Sequence, residues 1–229
     1  MHLDMPRLRL RRRPFLAGIF LMGAVAAGLG PACAGTARAA ASEYSVDAEA
    51  SQLRIRVLRA GPLSLLAHDH ILVARGIKGR VSFNRDAPSA SSGQLDVPVA
   101  LLEVDDPKER VQEGFAGELT ESNRAAVRDN MLAADQLNAA EYPRITVAVD
   151  RAEGELPHLR LQARVKIRDR EQAISVPVTV SADSGTLTVS GEAELLQSAF
   201  GIQPYSSLLG AIAVQDSILV KFRIVARAD

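Results

Sequence analysis

The segment LRLQARVKI, residues 159 to 167, decides the fold of this chain. Its apolar side chains stand at every second position, with polar side chains between them. Successive side chains of a β-strand point to opposite faces of the sheet, so this segment is predicted to be a strand with one dry and one wet face. The dry face comprises Leu159, Leu161, Ala163, Val165 and Ile167, and the wet face comprises Arg160, Gln162, Arg164 and Lys166.

The same alternation occurs in seven other segments, and turn-forming stretches such as NRDAPSASSG and SADSG separate several of them. A parallel sheet covered by helices would show continuous apolar runs instead. The pattern therefore predicts a barrel or sandwich of about eight antiparallel strands around a common apolar interior. The seven further segments begin at Leu53, Ile77, Leu95, Ile145, Ile174, Leu187 and Ile218.

One region, Pro107 to Ala140, departs from the alternation and has apolar side chains at helical spacing. We predict one or two helices there, as an insertion between the fourth and fifth strands. Asp106 and Pro107 suit the N-cap and first position of a helix. The nearby carboxylates alternate with Lys108 and Arg110 and are interpreted as a solvated helix start; they are Glu103, Asp105, Asp106, Glu109 and Glu113.

Residues 1–41 have the pattern of a cleavable signal peptide. A basic stretch, RLRLRRR, precedes an apolar run from Phe15 to Gly30, and small residues at positions 37 to 41 suit cleavage near residues 39–41. The run is too short and too rich in Gly and Ala for a comfortable membrane span. We therefore expect a periplasmic protein whose mature part, residues 42–229, is a single domain that does not span the membrane.

The export route has two readings. Arg12-Arg13-Pro14-Phe15-Leu16 matches the core of a twin-arginine signal, whereas Arg11 stands where Ser or Thr is usual, which leaves a basic signal of the general secretion route open. Lipid attachment at Cys33 is a further alternative. The residues just before Cys33 lack the Leu with which such a site normally begins.

Composition excludes several classes of function. Removing residues 1–41 takes away six arginines and one aspartate from 27 basic and 27 acidic residues, so the mature chain has a net charge of about −5 and is not expected to bind nucleic acid. The only cysteine is Cys33, which excludes disulfides and thiol chemistry from the mature chain. No nucleophile elbow, zinc-protease motif or phosphate loop is present, and we expect neither an enzyme nor a bound cofactor.

Three blocks of the sequence resemble the YceI-like family. They are RDNMLAADQLNAAEYPRITV at 128–147, RVKIRDREQAISVPVTV at 164–180, and SAFGIQPYSSLLGAIAVQDSILVKFRI at 198–224. The resemblance implies a periplasmic, lipocalin-like antiparallel β-barrel that binds isoprenoid or other amphipathic lipids. Two stretches depart from the family pattern, RDREQ at 168–172 and LSLLAHDHIL at 63–72, and both bear on the identity of the ligand.

A carrier for a long-chain amphipathic lipid needs only a dry aliphatic tunnel. We expect an isoprenoid or fatty-acid-like ligand in the barrel interior. The alternative is a structural or stress-response barrel whose core is filled by the same side chains, because periodicity does not distinguish a packed barrel from a hollow one. Dimerisation is left open. The predicted ligand-binding residues are Ile55, Val57, Leu66, His68, His70, Val81, Phe83, Val97, Val99, Met131, Leu132, Tyr142, Val147, Val165, Phe200, Ile202, Leu208 and Val220.

His68 and His70 form the most unusual pair in the sequence. Two residues apart on a strand, they would point the same way and could chelate one metal or haem iron, with Asp69 facing away. A metal- or haem-handling protein is therefore the alternative function. Two histidines make only half a metal site, however, and the same pair would equally suit a rim that meets a polar lipid head.

Two segments near the C-terminal half are candidates for the barrel mouth. Tyr142-Pro143 ends the helical insertion, and its hydroxyl could bond a ligand head. The stretch from Phe200 to Gly210 is more apolar than a solvated loop needs, which predicts a loop that folds over an opening with Gly201 and Gly210 as hinges.

Overall fold

The computed structural model describes residues 41–115 and 117–229. The predicted signal peptide lies outside the described residues, apart from Ala41. All the described strands belong to one sheet. The strands are β1 Ser42–Val46, β2 Gln52–Ala60, β3 His70–Ala74, β4 Lys78–Phe83, β5 Ser92–Pro98, β6 Leu102–Val104, β7 Arg144–Glu155, β8 His158–Ile167, β9 Arg170–Asp183, β10 Thr186–Leu196, β11 Ser206–Ser207 and β12 Ile212–Ala228; the helices are α1 Pro107–Gln112 and α2 Glu121–Leu132.

The sheet closes into an antiparallel barrel because β12 pairs with both ends of the chain of strands. β12 pairs with β10 at residues 217 to 227 and with β1 at residues 226 to 228. β1 pairs in turn with β4, and the order continues through β5, β7, β8, β9 and β10. This closed ring of eight strands confirms the predicted all-β barrel.

Three of the remaining strands continue strands of the ring, and the fourth, β11, pairs with the start of β12. β2 continues the line of β1 and pairs with β12. In the same way, β3 leads into β4 and pairs with β2, and β6 continues β5 and pairs with β3. Each pair is one strand interrupted by a short break. Counted in this way, the barrel has eight strands in simple up-and-down order, with each strand paired to its neighbour in sequence.

The connections divide between two ends of the barrel. One end, which we call the hairpin end, carries the β4–β5 loop, the tight β7–β8 and β9–β10 turns and the C-terminus. The other, the helix end, carries the β2–β3 loop at 61–69, both α-helices, the β8–β9 turn and the β10–β12 connection at 197–211. Tyr44, Phe83 and Leu187 belong to a packed apolar cluster of the hairpin-end strands.

The helical insertion lies between β6 and β7, and not between the fourth and fifth strands as the sequence pattern suggested. The short strands β1, β3 and β6 carry no clear alternation and were missed. In β3, four consecutive side chains from Ile71 to Ala74 are buried, because α1 packs on the outer face of the strand while the inner face meets the barrel interior. A strand buried on both faces does not alternate.

Local signals account for where the helices begin. The Asp106 side chain accepts hydrogen bonds from the backbone N–H groups of Lys108 and Glu109, and Pro107 occupies the first turn. Thr120 caps α2 by accepting a hydrogen bond from the Asn123 N–H. α2 packs against β6, and Met131 and Leu132 of its last turn pack against an apolar cluster that includes Leu102 of β6. In the part of the chain described, no helix is both long and apolar enough to cross a bilayer.

Candidate binding cavity

The barrel encloses a cavity of about 450 Å³. This volume lies within the usual range for ligand-binding pockets. Its walls come from the inward side chains of β2 to β10 and β12, from α2 and from the β10–β12 connection. Of the residues that the sequence nominated for ligand binding, those that line the cavity are Ile55, Val57, His70, Val81, Phe83, Val97, Met131, Val147, Val165, Phe200, Ile202 and Val220.

The apolar lining follows directly from the alternation within the strands. Ala163 and Val165 of β8 line the cavity, while Arg164 between them points outward. Its guanidinium donates to both carboxylate oxygens of Asp150 at 2.8 and 2.9 Å and to Glu171 at 3.2 Å. These hydrogen bonds lower the pKa of Asp150 and raise that of Arg164. The charged groups thus pair on the outer surface and leave the interior to aliphatic side chains.

Polar groups of the lining gather toward the two ends of the cavity. Among the residues described, the lining contains no Asp, Glu, Lys or Arg, so a charged ligand group would find no partner of opposite fixed charge in the wall. Its hydrogen-bonding side chains are Ser91, Ser92 and Gln94 at the hairpin end, and His70, Asn130, Gln136, Gln197 and Tyr205 at the helix end.

His70 is held by a buried carboxylate. Its Nδ1 lies 2.6 Å from Oδ2 of Asp105, a residue with no exposed surface. Asp105 Oδ1 accepts hydrogen bonds from the Ile71 N–H at 3.0 Å and from Nη1 of Arg110 at 2.9 Å. Burial by itself raises the pKa of Asp105, but the hydrogen bond and charge of His70 and the hydrogen bonds of Ile71 and Arg110 outweigh it, and the pKa lies below its usual value.

Asp105 and Arg110 were assigned wrongly from the sequence, as part of a solvated helix start. Arg110 is also buried, and its Nη1 donates to the backbone oxygen of Asp69 at 2.6 Å. The residues next to Asp105 in the sequence give no sign that it is buried. Its burial results from the pairing of β6 with β3, which the local sequence does not reveal. Sequence reasoning also missed Val127 and Asn130 of α2 as lining residues, although their spacing from Met131 places all three on one helix face.

Three nominated residues lie outside the cavity wall because they belong to loops at the helix end. Leu66 lies in a 3₁₀ helix of the β2–β3 loop and is 69% exposed. Leu208 lies in a second 3₁₀ helix and is 66% exposed, so the segment from Ser206 to Gly210 does not cover the opening with this side chain. His68 is an exposed loop residue two positions before β3 begins, and it therefore does not share a strand face with His70.

Three other nominated residues pack or bond elsewhere. Val99 lies in a 3₁₀ turn just after Pro98 ends β5; it is buried in the same apolar cluster as the lining residue Val97, but its own side chain does not line the cavity. Leu132 packs against the same cluster. Tyr142 is half-buried, and the hydrogen bond between its hydroxyl and Glu141 raises its pKa. The helix that Tyr142 was expected to end stops earlier, at Leu132.

The histidine pair does not form a metal site in this structure. Asp69 accepts a hydrogen bond from the Arg59 N–H and contacts the Arg59 guanidinium at 3.7 Å, and His70 is bound to Asp105. Within residues 41–115 and 117–229 there is no group of three or more His, Cys, Asp and Glu side chains placed to hold a metal ion.

The fold is similar to that of two solved structures. Burkholderia cenocepacia BcnA matches with a TM-score of 0.59 and 18% identity, over 79% of this chain and 98% of BcnA. A Campylobacter jejuni YCEI protein matches with a TM-score of 0.53 and 10% identity, over 69% of this chain and 84% of that protein. At these identities the two matches bear on the fold alone. No curated protein matches the sequence significantly.

The family comparison agrees with the resemblance seen in the three sequence blocks. The model of the YceI-like domain matches residues 44–226, which include both helices and all of the ring except the first two residues of β1 and the last two of β12. This barrel is the fold of a family of binding proteins, and it is not that of a known enzyme family. The chain belongs to the YceI-like family.

Proposed function

We propose that this protein is a periplasmic carrier for a long-chain amphipathic lipid, with an isoprenoid as the most fitting ligand. The observation that carries the proposal is the aliphatic cavity of about 450 Å³, whose described walls hold no charged carboxylate, lysine or arginine side chain. Membership of a family associated with isoprenoid and lipid binding supports it. The cavity argues against a barrel that is solidly filled by its own side chains.

The energetics of burial suit such a ligand. Removing apolar carbon from water contributes ~0.8 kcal/mol per methylene, so a five-carbon isoprene unit contributes roughly 4 kcal/mol before ordering is counted. The loss of translational and rotational freedom costs about 4 to 15 kcal/mol, and ordering of the bound chain adds to this cost. A few isoprene units therefore suffice for useful affinity, and hydrogen bonds are needed only to orient the head.

The decisive experiment is native mass spectrometry of protein purified from the periplasm, followed by extraction of the bound molecule. We expect a hydrophobic molecule to accompany the wild-type chain. The variant Ala163→Phe should lose it, because Ala163 lines the cavity and the added ring would occupy the ligand space. The matched control is Ala173→Phe, which lies on the outer face of β9 opposite Arg164 and should keep the ligand.

The absence of a bound molecule, together with failure of added isoprenoids to bind the purified protein, would rule out the carrier function. Location is tested separately by cell fractionation and N-terminal sequencing. Cleavage near residues 39–41 would leave a mature chain that begins just before β1, the strand that closes the barrel. Recovery of an intact N-terminus from the cytoplasm would contradict the periplasmic assignment.

A further inference from the structure

The His70 ring lies at the helix end of the cavity, and its contact with Asp105 fixes its orientation. Asp105 already receives hydrogen bonds from the Ile71 N–H and from Arg110, and the Arg110 guanidinium balances its charge. The carboxylate therefore does not need the imidazole in order to be satisfied. The short contact of 2.6 Å between His70 Nδ1 and Asp105 Oδ2 instead fixes the orientation of the ring.

The contact also determines which ring nitrogen carries the proton. The ion pair with Arg110 at 2.9 Å and the hydrogen bond from the Ile71 N–H keep Asp105 ionised at neutral pH, and an ionised carboxylate only accepts hydrogen bonds. Nδ1 of His70 is therefore the donor. In a neutral imidazole the other nitrogen, Nε2, then carries the lone pair and accepts a hydrogen bond. The His70 side chain lines the cavity and keeps 17% of its surface exposed.

The surroundings of His70 select the kind of group that Nε2 would meet. The other polar lining residues of the helix end are amides and a phenol: Asn130, Gln136, Gln197 and Tyr205. Two guanidinium groups of this region are engaged by the protein: Arg110 by Asp105 and the Asp69 carbonyl oxygen, and Arg168 by the carbonyl oxygens of Gln136 and Gly201. A neutral head group that donates a hydrogen bond would find an acceptor here. A carboxylate or phosphate head would find no positively charged side chain in the lining.

We propose that Nε2 of His70 accepts a hydrogen bond from the hydroxyl head of a long-chain alcohol, with Asp105 and Arg110 as the residues that position the ring. This inference rests on the proposed lipid carrier and names the head-group chemistry of its ligand. It predicts that the protein separates lipids with the same chain by whether their head can donate a hydrogen bond.

The test compares geranylgeraniol with its methyl ether, which has the same chain but no hydroxyl hydrogen. Binding to the delipidated wild-type protein is measured by displacement of the uncharged dye N-phenylnaphthylamine. We expect the alcohol to bind roughly ten-fold more tightly, the difference that one net hydrogen bond of a buried group supplies. His70→Leu should abolish this preference and retain affinity for the ether, while the control His68→Leu, at an exposed loop position, should keep the preference.

The outcomes separate the two proposals. Equal affinity of the wild-type protein for both probes, or a preference that survives in His70→Leu, would overturn the assignment of His70 and leave the carrier function standing. A preference for the corresponding carboxylic acid over the alcohol would overturn the neutral head group. Failure of the wild-type protein to bind either probe would overturn the inference, and it would overturn the carrier function as well if no hydrophobic molecule accompanies the protein from the periplasm.

The tautomer can be measured directly in the intact protein. In the ¹⁵N NMR spectrum of histidine-labelled protein, we expect Nε2 of His70 to be the unprotonated nitrogen when the ring is neutral, and its resonance to move when geranylgeraniol is added but not when the ether is added. Comparison with His70→Leu assigns the signal. A proton on Nε2 in the neutral ring would contradict the proposed role of Asp105.

Discussion

Asp105 is the residue on which the helix end of the barrel most depends. Its backbone N–H donates to the Ile71 carbonyl oxygen at 2.9 Å, and its carboxylate contacts β3 through Ile71 and α1 through Arg110. It is fully buried and has a positive φ of 52°, a conformation that residues other than glycine seldom adopt. The surrounding hydrogen bonds hold the residue in this conformation.

Replacement of Asp105 by Asn should destabilise the protein, because it leaves the buried Arg110 guanidinium without its counter-charge. Removing one partner of a buried ion pair costs about 3–5 kcal/mol of unfolding free energy. Urea denaturation followed by circular dichroism measures the change. The control Asp150→Asn breaks an exposed pair with Arg164 and should cost no more than about 1 kcal/mol. Equal losses in the two variants would contradict the buried network.

The same residue should make stability depend on acid pH. Since the folded state lowers the pKa of Asp105 below its ordinary value of 3.8, the stabilisation is complete above that value and is lost as the pH falls through the lower folded-state pKa. The gap in unfolding free energy between wild type and Asp105→Asn should therefore stay constant from about pH 7 to about pH 5 and narrow as the pH falls below 3.8. A gap that does not narrow in this acid range would show that Asp105 does not titrate as proposed.

Among the elements, β4 and β5 show how closely the barrel wall is packed. A Cβ atom on Gly79 of β4 would lie 2.3 Å from the backbone oxygen of Gln94 and 2.7 Å from Leu95. On Gly93 of β5, the nearest atoms would be at 3.4 and 3.5 Å, which is ordinary contact. Both glycines lie in paired strands of the same sheet. They differ in the space that is available to an added Cβ atom.

Gly79→Ala should lower the unfolding free energy by about 1–3 kcal/mol, because the backbone oxygen of β5 cannot move without disturbing the strand pairing. Gly93→Ala is the matched control and should be near neutral, since it also restricts the unfolded chain. Chemical denaturation of both variants measures the difference. If Gly93→Ala proved the more destabilising change, the described packing of β4 on β5 would be incorrect.

At the scale of the whole molecule, the cavity couples stability to ligand binding. A ligand that binds only the folded barrel stabilises it by about 2.7 kcal/mol at a concentration one hundred times its Kd. For a protein of this size, that amount raises the Tm by roughly 5 to 10 °C. Thermal unfolding of the delipidated protein with and without geranylgeraniol measures the shift.

The cavity variants provide the control for this shift. Ala163→Phe should show little change in Tm with the lipid, while Ala173→Phe should respond like the wild-type protein, because only Ala163 lines the cavity. A similar rise in both variants would show that the lipid stabilises the protein from its outer surface.

Sequence alone determined the antiparallel strands and much of the apolar lining, and the resemblance to the YceI-like family indicated a barrel in place of a sandwich. The alternation in segments such as Leu159 to Ile167 assigns each side chain to a face, and a closed antiparallel sheet has only one interior for the apolar face to meet. The caps at Asp106 and Thr120 are equally local, because a cap depends on residues within one turn of it.

Tertiary structure decided what depends on contacts between distant segments. It separates His68 from His70, since β3 begins only at His70, and it buries Asp105 beside the imidazole through the pairing of β6 with β3. It also leaves a cavity where the same side chains could have filled a core, because the barrel radius and the packing of α2 against β6 set the space between the walls. Periodicity specifies which way a side chain points, whereas only the folded chain specifies what it meets there.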